Sequence, residues 1–387
     1  MRARELVSAD RPATHSVFCL RHNPPYLRHG MWLLAGRFGD VLVCSALVAL
    51  LCAGGHAPAA ETDVTPRLER FEFERVEMAV PIKIVLYASD LESARAAATA
   101  AFDRIGQLNT IMSDYDETSQ LRRLCQSAGS SAAVKVSDEL WDVLSRATEL
   151  AELSEGAFDP TVGPVVRLWR RARRQRELPS PTRLAAAREL VGYRMLVLDK
   201  QHRTVRLEKA GMRLDLGGIA KGYAVAEALR VLRQQGVSRA MVNAGGDIGL
   251  GDPPPDRPGW QIGVAPQPPD NSPRLMLSLS NTAVATSGDM YQHVVIGGKR
   301  YSHIVDPRTG IGLVNQIAVT VIHPDPTTAD GLSTAVSVLG VEKGLKLIDS
   351  IPEAAALIVE PLDGTTKLHQ SKRFIKLLEA SAKHQQR

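Results

Sequence analysis

Asp330 and Thr334 stand four residues apart in TTADGLSTAVSVLG, where the apolar spacing predicts a helix. Helical positions four apart share a face, so a carboxylate and a hydroxyl could both reach one hard cation. Mg²⁺ suits such a pair, because it takes one or two protein carboxylates and fills its octahedron with water and substrate phosphates. The same two residues equally describe an acid near a helix start with a half-buried hydroxyl one turn later. In LDLGGIAKGYA a predicted strand enters a helix through Gly217 and Gly218. The glycines let backbone approach a ligand, the new helix offers N–H groups to a phosphate, and Lys221 adds a mobile positive charge. An ordinary strand-to-helix turn would carry the same residues.

His303 lies with Asp306 and Arg308 in GKRYSHIVDPRTG. Histidine titrates near neutrality and can take a proton from an attacking hydroxyl. Asp306, Arg308 and Thr309 could instead simply tie down a hairpin. SEGAFDPTVGP and IMSDYDETS each set an aromatic, Phe158 or Tyr115, among acidic and small residues on a predicted loop, suited to stacking on a planar ring. Tyr115 equally fits a core residue with its hydroxyl at the surface. The sequence contains no GxxxxGK[ST], HExxH, CxxC or GxSxG, and the glycines of NAGGDIGLG miss the GxGxxG spacing. A Rossmann dinucleotide site is thereby set aside, and any nucleotide must be held another way.

These residues need a scaffold, and the 387-residue chain with 44% hydrophobic content can supply one. Residues 61–76 are polar and read as a flexible lead-in to a catalytic domain over 77–387. A strand is expected from near Met78, then a helix capped by Asp90, with Leu91, Ala94, Ala98, Ala101, Ile105 and Leu108 on one face. Ser137 caps a second helix to Leu153, and MSDYD lies between the two. RMLVLD, TVRLEK and MRLDLG read as strands. The following helix keeps Ile219, Tyr223, Ala226, Leu229 and Leu232 on one face and ends at Gly236. WQIGVA, RLMLSLS, HVVIGG and IAVTVI are β-like. Helices return over about Thr328–Leu339 and Val341–Ile351, followed by a strand in AALIVE and a basic helical tail. Without regular βαβ alternation, an α+β fold is expected. The net charge of +5 is spread over a chain holding 42 acidic residues, so no nucleic-acid partner is expected. The run Arg167–Arg176 reads as a solvated helix end or loop, with an anionic contact surface as the alternative.

The first 60 residues have the character of a targeting segment. Val41–Ala53 is an apolar run of 13 residues with Arg28 and Arg37 before it and small residues up to Ala60 after it. That is signal-peptide architecture, short of the roughly 20 residues that span a bilayer. Cleavage near Ala59 or Ala60 is expected, Met31 is an alternative start, and Cys44 and Cys52 lack the small preceding residue that lipidation wants. Removal of Cys19, Cys44 and Cys52 would leave Cys125 alone, without a disulfide partner.

MSDYDETS, GAFDPTVGPVVRLW, DLGGIAKGYA, VNAGGD, YSHIVDPRTG and ADGLSTA, in this order from about Met78 to Leu339, resemble the ApbE family of FAD:protein FMN transferases. The resemblance implies a single α+β body related to the T-fold, with FAD in a cleft as substrate and Mg²⁺ at its pyrophosphate. It implies Mg²⁺ ligation by the Ala220 carbonyl, Asp330 and the Thr334 hydroxyl. Implied FAD contacts are Met78, Tyr115, the Ala157–Phe158–Asp159 turn, Gly217, Lys221, Tyr223 and Ile304, and His303 would assist the acceptor hydroxyl. The expected reaction moves FMN to a threonine of an exported or membrane-bound flavoprotein and releases AMP, in the periplasm or at the periplasmic face of the inner membrane. Acceptors would carry a Ser/Thr–Gly–Ala–Thr-like site. An FAD pyrophosphatase and a non-enzymatic FAD carrier are the competing readings; Tyr115 favours transfer over hydrolysis, and intact Asp330, Thr334 and His303 favour an enzyme. Ala226, Gln120 and Cys125 depart from the family pattern, at positions where Asp, Glu and Asn are usual.

Overall fold

The computed structural model describes residues 67–385 apart from 268–271, 289–291 and 363–364. The expected targeting segment lies outside the described residues. Eight strands form the main sheet: β1 (Glu69–Glu77), β2 (Val80–Ala88), β3 (Ala240–Ala244), β4 (Asp247–Leu250), β5 (Thr282–Ser287), β6 (Ala318–His323), β7 (Ala355–Leu362) and β8 (Thr365–Gln370). Their order across the sheet follows the chain, and every neighbouring pair is antiparallel. Helices are α1 (Leu91–Met112), α2 (Gln120–Gln126), α3 (Asp138–Leu153), α4 (Gly163–Gln175), α5 (Pro181–Arg188), α6 (Ala220–Gln234), α7 (Pro326–Ser350) and α8 (Lys372–Gln385). This is the α+β architecture the sequence predicts.

Alternation along the strands divides the apolar residues between two faces. Ile82, Ile84, Leu86, Val319, Val321, Ala356 and Ile358 join the main core with residues of α1, α3, α6 and α7. Val85, Ile322, Ala355 and Leu357 belong to a second core closed by the hairpin Trp260–Gln267/Ser272–Leu279 and by Phe374 of α8. A third cluster joins Trp169 of α4 and Ala187 of α5 to Val294, Tyr301 and Val305. It fixes the hairpin His293–Ile296/Lys299–Ser302, which leads into His303.

Several expectations need correction. Residues 69–77 are strand β1, paired with β2 over its whole length, and are not a flexible lead-in; Phe71 and Phe73 alternate with charged residues and pack on the core. The strand expected from Met78 begins at Val80, because Met78 and Ala79 form the hairpin turn at φ 50° and 62°. MRLDLG is not a strand. Arg213 makes one isolated bridge to Val162, the Leu214 N–H donates to Cys125 Sγ, and the Asp215 N–H donates to the Pro160 carbonyl. A short helix, α2, intervenes between the Tyr115 loop and α3. Leu91 is exposed although it shares the α1 periodicity. The Asp90 and Ser137 caps form as expected. The two expected C-terminal helices appear as α7, broken at Gly340 (φ 76°, ψ −174°).

Candidate active site

The N-terminal turns of α6 and α7 meet. Asp325 caps α7 by accepting from the Thr328 N–H, which puts Asp330 in the second turn and Thr334 one turn further. Asp330 Oδ2 accepts the Gly222 N–H at 2.9 Å, so the carboxylate satisfies a helix-start donor on the other helix. Gly222 is required by packing: a Cβ there would lie 2.3 Å from the Pro326 carbonyl oxygen. A Cβ on Gly218 would meet Thr334 Oγ1 at 2.9 Å and Phe158 Cε2 at 3.3 Å. Ala220 lies between these two contact points in the chain and is buried. The structure thus brings Phe158, Gly218, Ala220, Asp330 and Thr334 together.

Lys221 completes the cluster by pairing with Asp247 and standing 3.6 Å from Asp330 Oδ1. Asp330 is 2% exposed and Asp247 4%. Two buried carboxylates around one ammonium leave an excess negative charge. Burial, then the charge of Asp330, push the Asp247 carboxyl up to about 7 against the pull of Lys221. Burial acts to lower the Lys221 ammonium, but Asp330 and Asp247 outweigh it and hold that group above its ordinary value. The excess charge and the hard oxygen donors fit a small divalent cation. Among the described residues no group of three or more His, Cys, Asp or Glu could enclose a metal.

The expected row of N–H groups at the start of α6 is largely consumed. Ile219 and Ala220 donate to the Leu216 carbonyl, and Gly222 donates to Asp330. Lys221 brings the positive charge at this corner, shared between Asp247 and Asp330.

Tyr115 is 74% exposed, with the Arg170 guanidinium 4.1 Å from its ring centroid. Arg170 also pairs with Asp114 and, at 2.9 Å, with Asp215 Oδ2; Asp215 Oδ1 accepts the Gly217 N–H at 2.9 Å. Burial first, then Asp114, raise the Asp215 carboxyl, and Arg170 opposes them. Beneath lies the Phe158 loop. Asp159 accepts from the Thr161 N–H, the Thr161 hydroxyl and the Tyr193 N–H. Its carboxylate is spent inside the fold, and Ala157 is buried, so of the expected turn Phe158 is the side chain brought to the Gly218–Thr334 contact.

His303 sits at the end of its hairpin, half-buried. Its N–H donates to the Gln292 carbonyl at 3.0 Å, and Nδ1 lies 3.0 Å from the same oxygen. A carbonyl only accepts, so in the neutral ring Nδ1 carries the proton and Nε2 the lone pair. Ile304 follows, its N–H donating to Ser302 Oγ. Asp306 grips Arg308 through both carboxylate oxygens, the hairpin-tying arrangement weighed in the sequence. The Trp169 indole N–H donates to the Gly310 carbonyl at 2.8 Å, so α4 supports the His303 segment on one side and the Tyr115 loop, through Arg170, on the other.

Two further residues of the expected FAD set take the following places. Tyr223 is a core residue; burial first, then Asp142 and Glu227, raise its phenol. Met78 occupies the β1–β2 turn, next to Val80, which packs on Gly245 of the turn leading to Asp247. Sequence reasoning gave no role to Asp247, Arg170 or Asp114. VNAGGD carried the signal for Asp247, while Arg170 was hidden in a run of arginines.

The chain matches the profile of the ApbE family over residues 78–358. The FAD:protein FMN transferase of Haemophilus influenzae is 34% identical over 281 residues, which cover 70% of this chain and 80% of that protein. Its counterpart of the same name from Treponema pallidum is 32% identical over 333 residues, covering 81% and 90%. Among solved structures, the flavin transferase ApbE from Vibrio cholerae matches with a TM-score of 0.72 at 30% identity, over 81% of this chain and 100% of that one. Fold, sequence and motif order agree: this chain, a transferase enzyme, belongs to the ApbE family.

Proposed function

We propose that the protein splits FAD at its pyrophosphate with Mg²⁺ present and joins the FMN half to a threonine hydroxyl of an exported flavoprotein, releasing AMP. The observation that carries this reading is the Lys221–Asp247–Asp330 cluster, two buried carboxylates around a partly exposed lysine and negative in excess, with Gly218 against Thr334 one turn from Asp330. The names of the relatives supply the substrate and the reaction class. Mg²⁺ would be held by the Ala220 carbonyl, Asp330 and the Thr334 hydroxyl, and when bound it would offset negative charge on the pyrophosphate oxygens.

Lys221 would offset the charge that grows on the departing AMP oxygen, and its ion pairs keep it protonated for that task. His303 Nε2 accepts the proton of the threonine hydroxyl as that oxygen bonds to the FMN-side phosphorus. The bond from this phosphorus to the bridging oxygen breaks, and AMP leaves with the electron pair. The exposed Tyr115 ring offers a planar ring of FAD a stacking surface. The signal-like segment before Ala60 supports export, so the acceptor is expected outside the cytoplasm.

The test is product analysis after incubating the protein with FAD, with and without Mg²⁺ and an acceptor domain bearing a Ser/Thr–Gly–Ala–Thr segment. AMP release that needs both Mg²⁺ and the acceptor supports transfer. Equal release of free FMN and AMP without acceptor means a pyrophosphatase, and intact FAD under all conditions means a carrier.

A further inference from the structure

Ser113–Ser119, the loop that carries Tyr115, joins α1 to α2 and packs little of its own side-chain surface: Asp116, Glu117 and Thr118 are exposed, as is Tyr115. Arg170 of α4 ties it to the Asp215–Gly217 turn. One guanidinium pairs with Asp114 next to Tyr115, covers one face of the Tyr115 ring at 4.1 Å, and pairs with Asp215, whose other oxygen holds the Gly217 N–H. Arg170 is itself held, since its neighbour Trp169 is 1% exposed and hydrogen-bonded to Gly310. A planar fork with five donors can serve two carboxylates and a ring face together; an ammonium cannot.

We propose that Arg170 is a positioning residue for FAD. It fixes the Tyr115 ring relative to the Gly217–Gly218 turn, so that a planar ring stacked on Tyr115 and a pyrophosphate beside Lys221 are met by one rigid unit. The proposal rests on the reading of this cleft as an FAD site. It assigns Arg170 no contact with substrate: the residue acts through Tyr115 and Asp215. The neighbouring arginines Arg167, Arg171 and Arg174 are exposed, and Arg171 turns to Gln175 instead.

The experiment measures the Kd for FAD with Mg²⁺, by flavin fluorescence, for the full chain and its Tyr115→Ala, Arg170→Ala, Arg170→Lys and double Tyr115→Ala/Arg170→Ala variants. Each single alanine variant is expected to weaken FAD about tenfold, the scale of one aromatic stacking contact. The double variant should be no weaker than either single one, and Arg170→Lys should not restore affinity. KM for FAD should rise by more than kcat falls. Repeating the titration with FMN and with ADP shows which ring stacks, because affinity for that half alone should fall. Asp114→Asn, which leaves the Arg170–Asp215 pair, should reproduce part of the loss if Arg170→Ala fails to fold. Additive losses in the double variant, rescue by lysine, or unchanged FAD affinity at an unchanged melting temperature would overturn the proposal. FAD binding that behaves as expected without any transfer would sink the transferase reading and leave this one standing.

Discussion

The corner where α6 meets α7 and the rim that carries Tyr115 and His303 are built by opposite means. In the corner the reactive groups are buried, crossed by a helix-to-helix hydrogen bond, and spaced by a glycine that tolerates no side chain. On the rim Tyr115 is exposed on a loop and the His303 ring lies against a backbone carbonyl. On the proposed reading the corner is preorganised for a small ligand of fixed charge. The rim has to admit a second protein, and side chains on loops and hairpin ends can adjust to it.

The largest expected effect breaks the corner. Asp330→Ala removes a proposed metal ligand, the Gly222 cap and a partner of Lys221 at once. Turnover should be abolished, and stability should fall by about 1–3 kcal/mol, the cost of leaving the buried Gly222 N–H without its acceptor, since Lys221 keeps Asp247. Asp330→Asn keeps an oxygen for the Gly222 N–H, so it should also lose turnover while melting closer to wild type. Normal turnover of the asparagine variant would remove Asp330 from the metal site. On the rim, His303→Ala should slow transfer about 10²-fold while leaving FAD affinity and melting temperature near wild type. Pre-steady-state transfer rates decide this, and unchanged rates would exclude His303 as the proton acceptor.

Gly222→Ala tests whether the corner is as tight as it looks. The new Cβ would force α6 away from the Pro326 carbonyl, and a loss of about 1–3 kcal/mol is expected in denaturant melts, together with reduced turnover. A neutral outcome would show that the two helix starts can part at little cost. The smallest effect concerns Cys125, whose thiol is raised chiefly by burial and accepts the Leu214 N–H under the Asp215–Gly217 turn. It should resist alkylation in the native protein and react on unfolding, followed by mass shift. Rapid native labelling would mean that the floor below the rim opens readily.

The same contrast governs what could be read from the sequence. Corner residues were legible because glycine pairs, a lysine and an Asp–Thr helical spacing are local patterns. The α+β fold and most strands followed from alternation and turn residues. β1 was missed because only Phe71 and Phe73 mark its buried side among charged neighbours. Helical periodicity placed Tyr223 on the apolar face of α6, and it packs there in the core. Asp247 and Arg170 pair with partners 26 and 45 residues away, so although VNAGGD marked Asp247, neither pairing could be read from the local sequence.

The most direct measurement mixes the protein with FAD, Mg²⁺ and an acceptor domain bearing the target threonine, beside the same domain with that threonine changed to alanine. In-gel flavin fluorescence and intact mass are read on the acceptor. Fluorescence and an added FMN mass on the threonine form alone, lost on Mg²⁺ chelation, are what the account predicts. Flavin attached equally to both forms, or attached after Mg²⁺ is removed, would contradict it.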